Sequence, residues 1–134
     1  MSELRTILHV DDDEDILEIA RMALELVDNF ELHQFSSGPD ALEGLKTLSP
    51  QLLLLDVMMP GMTGLQMSEI VKSDPRHGDI ATIFMTAKAE DTASKELLDS
   101  GALDVITKPF DPMSLGEQIR TIWATRKAAR LQAI

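Results

Sequence analysis

A chain of 134 residues with 44% hydrophobic side chains has the usual size of one domain and enough apolar material for a core of its own. Its 12 basic against 23 acidic side chains give a formal net charge of −11, which opposes direct binding to nucleic-acid phosphates or to anionic membranes. The absence of cysteine excludes disulfides and thiolate metal sites.

The first apolar stretch, Thr6-Ile7-Leu8-His9-Val10, is too short for a signal peptide and runs into acids, and no window approaches a membrane span, so the expected location is the cytoplasm. It opens an alternation of short apolar runs, expected as strands near 5–10, 30–35, 51–55, 80–85 and 103–107, with segments of helical period between and after them. In the first helix Ile16, Ala20, Ala23 and Val27 form one stripe facing a sheet, while Glu18, Arg21 and Glu25 face water. Asp13, Glu14 and Asp15 suit its N-terminus, where carboxylates cap free amides and oppose the macrodipole. The second helix takes Ser37 or Gly38 as cap and Pro39 in its first turn, presents Ala41, Leu42, Leu45 and Leu48, and stops by Pro50.

Leu52 to Leu55 is apolar at every position, which fits the middle strand of a parallel sheet covered on both faces. Pro60-Gly61 and Gly64 then signal turns before a helix over about 65–72, Gly101 suits the end of the fourth helix, and Asp111-Pro112 opens a last helix that buries Leu115, Ile119 and Ile122. The stretch from Arg126 to Ile134 reads as a helix end or tail beyond a core of about 4–125, all one domain over 1–134. Right-handed crossovers make this an α/β fold, a doubly wound parallel sheet between two helical layers.

In such a sheet Asp11, Asp12, Asp56, Thr86 and Lys108 all fall at the carboxyl edge, where open α/β sheets place ligands. Carboxylates crowded there raise one another's pKa unless a cation sits among them, and all-oxygen ligation with retained waters suits Mg²⁺. A calcium loop on Asp11, Asp13 and Asp15 fails, because Ile16 stands where that loop needs Gly and Met22 where it needs Glu. His9, His33 and His77 lack metal spacing and read as strand or surface residues, Trp123 as partly buried with room for a partner surface, and the eight methionines as core or groove filling.

Val10-Asp11-Asp12-Asp13, the run Leu55-Asp56-Val57-Met58-Met59-Pro60-Gly61-Met62-Thr63-Gly64, Met85-Thr86-Ala87 and Thr107-Lys108-Pro109-Phe110 together resemble the receiver domain of two-component response regulators, across almost the whole chain. The resemblance implies a CheY-like, flavodoxin-like (βα)5 fold with strand order 2-1-3-4-5. It implies a phosphorylation-controlled switch, a regulatory phosphoacceptor and not an enzyme acting on other substrates. By carry-over, Asp56 accepts a phosphoryl group from a histidine kinase or histidine phosphotransfer protein. Asp12 and Asp56 bind Mg²⁺ directly, Asp11 acts mainly through water, and the backbone carbonyl of Met58 completes the protein's ligands. Thr86 donates to the phosphoryl oxygens and shifts as the signal, Lys108 neutralises charge, and the Lys108-Pro109 bond matches the family's cis peptide. Output runs through protein contacts on the face of the fourth helix, fifth strand and fifth helix, and the resemblance allows a homodimer, in a stand-alone regulator or in a receiver cut from a larger protein.

Val105 stands where many receivers carry an aromatic switch residue, so output here relies on backbone movement or another residue. Thr63 replaces a common Asp between the turn glycines and suits a capping role, while Met58 and Lys88 flank the phosphorylation site. Two other classes fit less well. A haloacid dehalogenase-type phosphatase needs a second Asp where Met58 stands, and a flavodoxin-like cofactor module needs a phosphate cradle where Asp11-Asp12-Asp13 would repel phosphate.

Overall fold

The computed structural model describes residues 3–87 and 91–127, with side chains at all of these except 91–93 and 127. Five parallel strands, β1 (Thr6–Val10), β2 (Glu31–Phe35), β3 (Leu52–Asp56), β4 (Ala81–Thr86) and β5 (Asp104–Thr107), form one sheet in the order β2-β1-β3-β4-β5. Each strand lies within one residue of its expected span. The helices are α1 (Glu14–Arg21), α2 (Gly38–Gly44), α3 (Gly64–Ser73), α4 (Asp91–Asp99) and α5 (Leu115–Ile122), and α1 and α5 run on as π-helical turns at Met22–Val27 and Trp123–Lys127. No helix among the described residues is long and apolar enough to cross a membrane.

The middle strand explains the layering. Every residue of β3 is buried. Its side chains alternate between faces: Leu52 and Leu54 join Ala20, Ala23, Leu24, Leu115, Ile119 and Ile122 under α1 and α5. Leu53 and Leu55 join Ala41, Leu45, Met67, Val71 and Leu97 under α2, α3 and α4. Two hydrophobic layers thus clamp one sheet, and the strand ends are left as the place where polar groups meet.

Local signals account for most helix boundaries. Asp13 caps α1 by accepting from the amides of Asp15 and Ile16, Ser37 caps α2, and Thr63 forms a reciprocal capping box with Gln66 at the start of α3. Gly101, with φ +105°, takes the left-handed conformation that ends α4. Asp111 opens the last helical segment through a turn, its carbonyl accepting from Ser114 and Leu115, so α5 proper begins only at Leu115.

The structure corrects several expectations. Val27 leaves the buried stripe of α1 and is 48% exposed, while Leu24 takes the inward place. The wide turn at Met22–Val27 adds residue length to each turn and rotates the stripe away from α-helical spacing. His77 is neither on a strand nor on the surface: it is buried in the loop after α3, its Nε2 within 2.9 Å of the Leu45 carbonyl at the end of α2. Trp123 belongs to the core layer under α5. Met59, Met67 and Met85 fill the core as expected, but Met22, Met58 and Met113 stand exposed. Residues 128–134, Arg130 among them, and Lys88 lie outside the described residues.

Candidate functional site

Strand register builds the site. Val10 of β1 pairs with Leu55 of β3, Leu55 with Phe84 of β4, and Phe84 with Val105 of β5, so Asp11 and Asp56 emerge side by side one residue further on. Thr86 closes β4 opposite Thr107, and the Lys108 amide continues that ladder by donating to the Thr86 carbonyl at 2.8 Å. The Lys108-Pro109 peptide is cis.

Lys108 Nζ sits 2.8 Å from Asp11 Oδ2 and 3.0 Å from Asp56 Oδ1, one ammonium bridging two carboxylates from different strands. Asp11 is fully buried, and its other oxygen accepts from the Asp13 amide at 2.9 Å, which fixes the start of the following loop. Asp12 stands exposed at the crest of that loop, and oxygens of Asp11, Asp12 and Asp56 all lie within 4.8 Å of one another. These groups line a half-open cleft of about 500 Å³ together with Asp13, Val57, Met58, Thr86 and Ala87. Thr86 is buried at its rim.

The electrostatics follow from crowding at a partly dry edge. Removal from water pushes the Asp56 carboxyl up to about 6; the hydrogen bond from Lys108 opposes the rise, and Asp11 and Asp12 add to it. Burial works to lower the Lys108 pKa, but its hydrogen bonds and attraction to Asp11 and Asp56 outweigh that and raise it. The ammonium therefore stays charged. Beneath the site, burial first and the Lys108 charge second hold His9 down at about 3, so the imidazole is neutral.

One cation against three carboxylates leaves an excess of negative charge, and the donor set is entirely oxygen. Such a cluster fits a hard divalent ion, above all Mg²⁺, which takes one or two carboxylates and keeps waters for an incoming phosphate. Asp11, Asp12, Asp56, Met58, Thr86 and Lys108 are all brought together as expected from the sequence. Val105 is not among the cleft-lining residues; it packs against the core layer under α2, α3 and α4. Asp13, read from sequence as a cap, both caps α1 and lines the cleft. Val57 and Ala87 were missed as lining residues, although each directly follows a strand-end site residue.

The family model described as "Response regulator receiver domain" matches residues 7–120. The phosphate regulon transcriptional regulatory protein PhoB of Pseudomonas aeruginosa is 36% identical over 118 residues, 88% of this chain and 51% of PhoB. The transcriptional regulatory protein SrrA of Staphylococcus aureus is 35% identical over 116 residues, 87% of this chain and 46% of SrrA. The chain thus spans about half the length of these curated relatives. Among solved structures, a putative response regulator from Chloroflexus aurantiacus superposes with a TM-score of 0.81 at 29% identity, covering 91% of this chain and 99% of the other.

Proposed function

The chain belongs to the response regulator receiver domain family, and from that premise we propose that it is a single receiver unit, a phosphorylation-controlled switch whose phosphoacceptor is Asp56. The observation that carries this reading is the Lys108 ammonium held between Asp11 and Asp56 at the mouth of a cleft that Asp12 and Thr86 also line.

The transfer begins with an Asp56 carboxylate oxygen attacking the phosphorus of a phosphohistidine on a histidine kinase or phosphotransfer protein. A new O–P bond forms as the P–N bond breaks, and the departing imidazole keeps the electron pair. Little acid–base chemistry is required of the protein; positioning and charge neutralisation do most of the catalysis. Mg²⁺, held by Asp12, Asp56 and the Met58 carbonyl with Asp11 acting mainly through water, would supply the second neutralising charge. Lys108 stabilises the charge developing on the phosphoryl oxygens. Thr86 donates its hydroxyl to the phosphoryl group, drawing the end of β4 toward the site. With Val105 in place of an aromatic switch residue, that backbone movement carries the signal to the face of α4, β5 and α5, where a downstream protein or a second copy docks. The working compartment is the cytoplasm.

Intact mass after incubation with acetyl phosphate tests the reading on wild type and Asp56→Asn, with and without Mg²⁺. A single Mg²⁺-dependent phosphoryl adduct, absent from the variant, is expected. A wild type that gains no adduct and binds no beryllofluoride overturns it.

A further inference from the structure

Below the acidic loop, one side chain holds both of its stems. Gln34 stands on edge strand β2 opposite His9. Its amide nitrogen donates to His9 Nδ1 at 3.1 Å and to the Leu17 carbonyl at 2.7 Å. His9 lies on the strand that enters the loop and Leu17 on the helix that leaves it, so both amide hydrogens of one residue are spent on the two flanks of Asp11, Asp12 and Asp13. Because an amide nitrogen only donates, His9 accepts through Nδ1 and carries its proton on Nε2. That Nε2 is buried with no hydrogen-bond partner among the described residues, so the ring is oriented by Gln34 and not by a competing acceptor.

Apolar packing performs little of this task. The fully buried residues of the first helical segment are Ala20, Ala23 and Leu24, from its middle onward, whereas near its start Ile16 packs against the core while only partly buried and Leu17 is partly buried too. The polar tie therefore adds to the packing of Ile16 in anchoring the first turns of the helix, where burial is thinnest. Asp12, exposed at the crest, has its position set by the loop backbone.

We infer that Gln34 is a positioning residue for the cation site, fixing Asp12 against the Asp11–Asp56 pair by clamping the two stems of the acidic loop. The inference rests on the Mg²⁺-dependent receiver reading above and assigns the site's geometry to a residue outside it. Groups that orient a metal's ligands commonly alter its affinity by 10-fold or more when removed.

Gln51 supplies an internal control. It too ties distant main chain, accepting from Arg5 and Thr6 and donating to Glu3, but at the opposite edge of the sheet. The test measures Mg²⁺ affinity by calorimetry, and hydrogen exchange of amides 11–17 in metal-free protein, on wild type, Gln34→Met and Gln51→Met. Gln34→Met is expected to bind Mg²⁺ roughly 10-fold more weakly and to exchange faster over 11–17, while Gln51→Met loses stability and keeps wild-type affinity. Unchanged affinity in Gln34→Met, or equal weakening in both variants, overturns the inference. Should Gln34→Met fail to fold, Gln34→Thr, a strand-forming residue too short to reach Leu17, serves the same comparison. If wild type binds no Mg²⁺, the Mg²⁺-dependent reading of the site fails, and the exchange data alone decide: unchanged protection over 11–17 removes the clamp.

Discussion

Asp56 is a strained choice for its position. Its carboxyl is buried beside Asp11 and titrates near 6, above the ordinary value of 3.8. A group whose folded-state pKa is raised favours folding only while protonated, so its contribution is present below pH 3.8 and is lost as pH rises through about 6. Asp56→Asn, which keeps the shape and can still accept from Lys108, should stabilise the protein at pH 7 by at least about 1 kcal/mol. Urea denaturation checks this, and the gain should vanish near pH 4; a variant no more stable than wild type at pH 7 contradicts the burial argument. His9 runs the other way. Its pKa falls from 6.5 to about 3 on folding, so stability is intact above pH 6.5 and is lost as pH falls toward 3. Replacing it by Leu should flatten that acid limb, read as a smaller pH dependence of the denaturation midpoint between pH 6.5 and 4.

At the scale of elements, the strands and caps were legible because they are local. Leu52–Leu55 needs no partner to announce a central strand, and Thr63 suits a capping role, although its reciprocal partner Gln66 emerges only from the structure. What the sequence did not yield depends on contacts or on backbone geometry that leave no local trace. The bond from His77 to the Leu45 carbonyl joins residues 32 apart. The π turn at Met22–Val27 moves Leu24 inward and Val27 outward although the apolar spacing fits an ordinary helix. The site was legible for a different reason: Asp11, Asp56, Thr86 and Lys108 each follow or end an apolar run, whereas the proposed clamp at Gln34, in mid-strand, carries no such signal. Gly64 shows how closely elements meet. A Cβ there would collide with the main-chain carbonyl of Asp56, so α3 starts against the end of β3 with no room for a side chain. Gly64→Ala should cost about 1–3 kcal/mol and weaken Mg²⁺ binding by displacing Asp56. Thermal melting with a Mg²⁺ titration measures both, and wild-type values in each would remove this contact from the site's support.

For the whole molecule, charge and chemistry are segregated. The acidic cleft occupies the carboxyl edge of the sheet, while Arg126 pairs with Asp104 at 3.7 Å, both side chains reaching solvent, where an ion pair contributes at most about 1 kcal/mol. Reversing charge with Arg126→Glu should therefore leave phosphoryl acceptance at Asp56 unchanged in the acetyl phosphate assay. A lost adduct in a folded variant would join this end of the chain to the site. The bridge made by Lys108 has one more consequence. Its ammonium reaches Asp11 across 97 positions of sequence, from beyond the last strand to the end of the first. During synthesis, a chain that has left the ribosome only through β4 already carries all three carboxylates and lacks their counter-charge. On the proposed reading, the neutralising charge for phosphoryl acceptance thus arrives only with the residues after the fifth strand, and the three carboxylates wait for it.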